Sequence, residues 1–157
     1  MSAPTNRNTI ASAMTTVLQG IDGTGAYTYN LSGAGQVEQL DLDGPPISRV
    51  RPYVAFYLGA RQDIRGGAGA DLSQYGQTMT VDLVGVVTGG SDPGAAVQAA
   101  NDLEADIIRA LHGSRNLGAA AVHDLSVSTE VVTGPEVDGR QRDAYVAMTV
   151  ELFWARI

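Results

Sequence analysis

Few side chains in this sequence are suited to acid–base or metal chemistry. His112 and His123 are the two histidines, and the absence of cysteine excludes disulfides, thiolate zinc sites and cysteine nucleophiles. Neither histidine has a carboxylate at the spacing of a recognised motif, and no G-x-S-x-G nucleophile elbow is present. We interpret His112 as a residue at the C-terminal end of a helix, where the helix dipole favours a partly cationic ring.

Three segments are similar to ligand-binding loops, but each departs from its pattern. The sequence "GGAGADLSQ", residues 66–74, places Asp71 at the acidic position of a calcium-binding nonapeptide, but lacks the large apolar residue two places later and is not repeated. A calcium loop beginning at Asp41 would require Glu at its twelfth position, where Pro52 stands. "GIDGTG" follows a predicted helix, the reverse of the order in phosphate-binding loops. We therefore predict neither a cofactor nor a bound metal.

One acidic side chain lies at the border of an apolar helical stripe. Glu104 could be a buried acid with a raised pKa, or it could pair with an arginine at a subunit contact.

The sequence contains no lysine, which excludes Schiff-base and P-loop lysine chemistry. With so few catalytic groups available, we predict that the protein is not an enzyme.

Charge and composition indicate a single acidic globular domain, residues 1–157. The formal net charge of −7 disfavours a protein that grips phosphate backbones, although nucleic acid could still pass nearby. No apolar run approaches the roughly 20 residues that span a bilayer, so we expect no membrane association. The N-terminus lacks a basic segment followed by an apolar one, and we therefore expect no secretory signal and assembly in the cytoplasm.

Two amphipathic helices are predicted from apolar periodicity. The first runs from about Asn6 to Gln19 and breaks at Gly20; its stripe is Ile10, Ala13, Met14, Val17, Leu18 and Ile21. The second begins with Asp92 as N-cap and ends at Gly113. Its predicted inward stripe is Ala96, Val97, Ala100, Leu103, Ile107, Ala110 and Leu111.

Alternating residues predict five strands. "AYTYNL", residues 26–31, is expected to be short, and a Pro-delimited strand follows from Tyr53 to Ala60. A long central strand is predicted for residues 77–88, with Met79, Val81, Leu83, Gly85 and Val87 on one face. Residues 125–132 and 145–154 form the last two strands, and Asp138-Gly139 predicts the hairpin turn between them.

The predicted fold is α+β, with a mainly antiparallel sheet, two helices packed on one face and long loops between the early strands. The loops are residues 32–52, in which "VEQLDL" is the one segment that could pair, and residues 61–76. Connections of this length are usually functional or disordered, so both are candidate contact surfaces. The second sheet face and the sheet edges would need cover from neighbouring subunits.

Four segments together resemble the tail-terminator, or tail-completion, family of long-tailed bacteriophages, which includes the minor tail protein U of lambda-like phages. They are the helix "NRNTIASAMTTVLQGI", the strand "GAYTYNL", "RPYVAFYL" after a Pro-rich loop, and the second helix followed by "YVAMTVELFWARI". The resemblance spans nearly the whole chain in architecture. No single residue is diagnostic of it.

The resemblance implies a structural virion protein that forms a hexameric ring on the last ring of tail-tube protein. Such a ring stops tube polymerisation and gives head-completion proteins a platform, while DNA passes through the lumen without sequence-specific binding. The protein would lie in the virion, at the head-proximal end of the tail. Candidate subunit or partner contacts in the 61–76 loop are Arg61, Asp63, Arg65, Asp71 and Tyr75, of which the first three alternate in charge sign and suit a contact with one register.

Two other classes of function remain open from the sequence. Another neck component, such as a head–tail connector or a tube subunit, would also be a small α+β or β-rich ring protein. A small-molecule or metal-binding domain would belong to a different class. Ring formation would indicate assembly, whereas a ligand-induced rise in melting temperature would indicate binding.

Overall fold

A computed structural model describes residues 7–40, 50–63, 77–89, 92–117, 122–137 and 141–154. In chain order its elements are α1 (Arg7–Gln19), β1 (Val37–Gln39), β2 (Tyr53–Asp63), β3 (Gln77–Gly89), α2 (Pro93–Gly113), β4 (Val122–Val137) and β5 (Gln141–Trp154). The five strands form one sheet in the order β1-β2-β3-β5-β4. The α+β class predicted from the sequence is confirmed.

The sheet is antiparallel except at one edge. β2 with β3, β3 with β5 and β4 with β5 are antiparallel pairs, whereas β1 runs parallel to β2. β1 comes from the "VEQLDL" segment, whose pairing the sequence had suggested. Parallel neighbours need a crossover connection, and the long segment between β1 and β2 makes one possible.

Both helices pack on the same face of the sheet. Ile10, Met14 and Leu18 of α1 share one buried core with Leu103 and Ile107 of α2. The predicted inward face of β3 joins this core, because Met79, Val81, Leu83 and Val87 are all buried. This confirms the placement of both helices on one side. On the other side no described helix packs, and Tyr53, Ala55 and Val86 form a second, smaller buried cluster.

α2 begins and ends where its signals indicate. The Asp92 carboxylate caps the helix by accepting a hydrogen bond from the Gly94 N–H at 3.3 Å. Its inward stripe is confirmed except at Val97, which is 40% exposed. Val97 lies one position after buried Ala96, and the 100° rotation per residue carries its side chain past the edge of the buried stripe.

The predicted strand "AYTYNL" is wrong. Residues 22–31 form a loop that is closed by a hydrogen bond from the Leu31 N–H to the Ile21 carbonyl at 2.6 Å, with one isolated bridge between Asp22 and Asn30. Leu31 is buried and Tyr29 is half-buried, so the alternation reflects packing onto the helices. The loop obtains its backbone hydrogen bonds from a helix side chain instead of a neighbouring strand, as described below.

Strands β2, β4 and β5 extend beyond their predicted bounds. β2 continues through Asp63, three residues past Ala60, because Arg61 to Asp63 pair with β3 after an irregularity between Leu58 and Arg61. β4 runs from Val122 to Val137 and β5 begins at Gln141. The predicted Asp138-Gly139 turn lies outside the described residues.

Candidate functional site

The side of the sheet opposite the helices, which we call the open face, carries a row of polar side chains. Tyr57, Asp82, Thr149 and Ser128 stand opposite one another on four neighbouring strands. The Thr149 hydroxyl donates a hydrogen bond to Asp82 Oδ1 at 3.0 Å. A hydrogen bond from the Tyr57 hydroxyl to the same carboxylate raises the pKa of Tyr57, and partial burial raises it further. The row therefore links three strands through one carboxylate.

The next row of the open face is smaller and more apolar. Ala55, Val84, Ala147 and Glu130 stand opposite one another, and of these Ala147 and Glu130 are exposed. Between the two rows lies a shallow depression of about 430 Å³ lined by all four strands. This region therefore combines small apolar side chains with polar side chains that can form hydrogen bonds.

A second polar group lies at the end of the open face nearest β1. The Tyr53 hydroxyl donates to Glu38 Oε2 at 2.8 Å, which joins β2 to β1. Arg51 and Asp143 form an ion pair at 3.4 Å, with side chains 27% and 24% exposed. Burial raises the pKa of Tyr53, and its hydrogen bond to the Glu38 carboxylate raises it further. These contacts join the N-terminal end of β2 to β1 and to β5.

The open face is poorly suited to catalysis. Its central carboxylate, Asp82, is already engaged by Thr149 and Tyr57, and no histidine lines the depression. Within the described ranges, no group of three His, Cys, Asp or Glu side chains could hold a metal ion. The arrangement offers contact and hydrogen bonding, without an acid–base pair.

The predicted contact residues lie in two kinds of position. Arg61 and Asp63 belong to β2, opposite Met79 and Gln77, so the expectation that both lie in an irregular loop is wrong. The reason is that β3 begins at Gln77 and continues the ladder for three residues past Ala60. Arg65, Asp71 and Tyr75 lie outside the described residues, and their roles as contacts stay predictions.

The other titratable groups considered from the sequence are not brought together. His112 is exposed in the last turn of α2, the position predicted for it, whereas His123 lies in β4. Glu104 is half-exposed on α2. Glu104 is therefore not a buried carboxylate, and the side chain of His123 lies outside the described part of the chain.

Sequence reasoning missed the buried acid of this fold, Asp106, which is 1% exposed. Its carboxylate accepts hydrogen bonds from the N–H of Thr28, at 3.0 Å to each oxygen, and of Tyr29, at 2.8 Å to Oδ2. The signal was present, since Asp106 lies three residues after Leu103 and four before Ala110, within the apolar stripe. A carboxylate at such a position needs donors, and a nearby loop can supply them.

Two further contacts from α2 hold the same loop. Arg109 donates from Nη1 to the Ala26 carbonyl at 2.5 Å, and the Tyr29 hydroxyl donates to the Ala99 carbonyl at 3.3 Å. Together with Asp106 these contacts form what we call the α2 clamp on residues 22–31. The clamp lies on the helix side of the sheet, away from the open face, and its role is structural.

Comparison with known proteins does not assign the chain to a family: no protein-family model matches it, and no curated protein matches it significantly. Among the described helices, none is long and apolar enough to cross a membrane.

Proposed function

We propose that this protein is a structural virion assembly protein of the tail-terminator type. It forms a homo-oligomeric ring, a hexamer, on the last ring of tail-tube protein, stops tube polymerisation and provides the interface to head-completion proteins. The observation that supports the proposal best is the one-sided sheet. Both described helices cover one face. The other presents small, apolar and hydrogen-bonding side chains towards β4, and holds a small buried cluster of Tyr53, Ala55 and Val86 towards β1.

The open face has the chemistry of a contact that forms after folding. Ala147 is exposed and Val84 half-exposed at its centre, while Ser128 and Glu130 are exposed at the β4 side. A contact with an apolar centre and a polar rim is stable when assembled, yet the free subunit remains soluble. The open face accordingly binds a neighbouring subunit or the tube.

The size of the open face limits how much of the ring contact it can supply. Four strands about 4.8 Å apart and about eight residues long give a projected area of roughly 500 Å². Stable interfaces bury about 800 Å² on each partner. The contact must therefore extend beyond the sheet, and the connection between Asp63 and Gln77, with Arg65, Asp71 and Tyr75, is the proposed extension.

The acidic balance of the chain, a formal net charge of −7, suits a ring through which DNA passes. Carboxylates repel phosphates, so a lumen that carries them lets DNA slide without the grip that arginines provide. A continuous belt of arginines around the lumen of an assembled ring would contradict this part of the proposal.

Gene deletion tests the proposed function in the assembled particle. We expect headless tails of abnormal and heterogeneous length, because nothing then ends tube growth. Tails of normal length in the deletion would indicate that the protein is a different component of the neck, such as the head–tail connector. The protein acts in the virion at the head-proximal end of the tail, after assembly in the host cytoplasm.

A histidine variant separates assembly from catalysis. Replacing His112 and His123 together by non-titrating residues of similar size should leave tail length unchanged, because the proposed activity depends on packing and not on proton transfer. Abnormal tails from a variant that still folds and melts like the wild type would favour an enzyme instead.

A further inference from the structure

The two edges of the sheet are very unequal. β1, at one edge, contains three residues, whereas β4, at the other, contains sixteen. No described strand lies beside the outer side of β4. A long edge strand presents a row of unpaired backbone groups and is a template for strand addition.

The strand registers show which backbone groups of β4 point outward. The Val54 N–H bonds to the Gln36 carbonyl on the β1 side, so the N–H and C=O of its neighbour Ala55 point towards β3. The same alternation, followed through the pairs Ala55–Val84, Leu83–Met148 and Ala147–Glu130, directs Glu130 towards β5. The groups of Thr129 therefore point outward, together with those of the alternate residues Leu125, Val127 and Val131.

As far as the described residues go, the middle of this edge is the part open to a new strand. At one end, Arg115 donates from Nη2 to the Leu125 carbonyl at 3.4 Å, which agrees with an outward direction for Leu125 and occupies its acceptor. At the other end, the β4–β5 register shifts between Thr133 and Glu136, and Pro135 has no N–H to donate. The available edge is centred on Thr129.

We propose that a second copy of this chain pairs with β4 through its own β4, antiparallel, with the two-fold axis at Thr129. No other described edge matches the length of β4. The pairing joins two five-stranded sheets into one continuous sheet and forms about six backbone hydrogen bonds, two at each of three residue pairs. This contact is separate from the proposed ring, since an isologous pair closes on itself and cannot build a ring. It belongs to the free chain in solution and is released when a single ring forms on the tube.

Side chains favour this register over its neighbours. With the axis at Thr129, the two exposed threonines face each other on the helix side, a favourable cross-strand pair. On the open face Ser128 of each copy stands opposite Glu130 of the other, so each carboxylate faces a hydroxyl. Moving the axis by one residue, to Glu130, would set two carboxylates directly opposite, which destabilises the pair.

Single-cysteine variants test both the contact and its register, because the chain contains no cysteine. At an axis on Thr129, the two Cα atoms of a hydrogen-bonded pair lie about 5.5 Å apart, within the range of a disulfide. Thr129→Cys should therefore become a covalent dimer on oxidation. The matched control is Ser128→Cys, equally exposed and one residue away, whose two Cα atoms would lie roughly 8 Å apart and should not be linked.

Sedimentation of the full chain provides an independent test. The wild type and Thr129→Val, which keeps the N–H, should be dimers at micromolar concentration. Thr129→Pro should be a monomer, because proline removes the central N–H without removing a bond to β5. Circular dichroism shows whether the proline variant folds; if it does not, the cysteine pair decides.

Three results would overturn the proposal: a monomeric wild type, equal cross-linking of both cysteine variants, or a folded Thr129→Pro variant that remains a dimer.

Discussion

Among the side chains of α2, Asp106 should cause the largest loss of stability, relative to its size, when it is removed. Its carboxylate is buried and supplies the acceptor for the backbone N–H groups of Thr28 and Tyr29. Asp106→Ala removes the acceptor but leaves both N–H groups in place. These donors would then face a small apolar cavity where the carboxylate had been.

The expected loss in the free energy of unfolding follows from the two backbone N–H groups that are left without an acceptor. A buried backbone donor that loses its partner costs about 1–3 kcal/mol, and hydrogen bonds to an ionised group lie at the upper end. Two such donors give about 3–5 kcal/mol, reduced if water enters the site. Asp106→Asn keeps one acceptor oxygen and should cost about half as much. At roughly 2–4 °C per kcal/mol, Asp106→Ala should lower the melting temperature by about 10 °C.

Urea denaturation of the full chain measures these differences, with Glu104→Gln as the matched control. Glu104 lies on the same helix but is half-exposed, so its loss should change the free energy of unfolding by less than about 0.5 kcal/mol. If Asp106→Ala unfolds within that same margin of the wild type, the clamp contributes nothing and the reasoning is wrong. Hydrogen exchange should locate the loss of protection at residues 22–31.

Two further predictions concern close packing and pH. Gly89→Ala should destabilise the fold by about 1–3 kcal/mol, because the added methyl would overlap the backbone of Ala96 at the start of α2. Gly113→Ala, which has open space around it, should be near neutral. Thermal melts of the two variants compare their stabilities. Because the pKa of Tyr53 is raised above its usual 10.0, stability should be fully present below pH 10 and fall above it, where only the unfolded phenol ionises. Tyr53→Phe, which also loses the bond to Glu38, should show a shallower alkaline decline in urea denaturation than the wild type.

The sequence predicted a helix or strand correctly where its apolar residues followed a single periodicity. β3 alternates because one face meets both helices, and α2 carries a cap, a proline and a stripe that agree with one another. "AYTYNL" alternates too, but its polar backbone groups are satisfied by Asp106, which lies 77 and 78 residues away in sequence. Local pattern cannot reveal such a partner, since only the folded chain brings α2 to the loop.

The candidate site was harder to predict than the fold. Sequence reasoning placed contacts in long polar segments, and it treated Arg61 and Asp63 as loop residues because alternation fades after Ala60. The open face depends on sheet order, which brings Tyr57, Asp82 and Thr149 side by side although they are far apart in the chain. The sequence did predict that both helices would pack on one face, because each has a single apolar stripe. It did not predict the small buried cluster of Tyr53, Ala55 and Val86 on the other face.

The most direct test of the central claim is to image tube protein that polymerises in the presence of this protein. The wild type should appear as a single ring at one end of each tube, and tube growth should stop there. Ala147→Arg, which places a large cation on the open face, should neither cap nor stop the tubes, whereas Gln98→Arg, at an exposed position of α2, should act like the wild type. Tubes that lengthen equally with and without the wild-type protein would contradict the proposed function, and capping by Ala147→Arg would contradict the role of the open face.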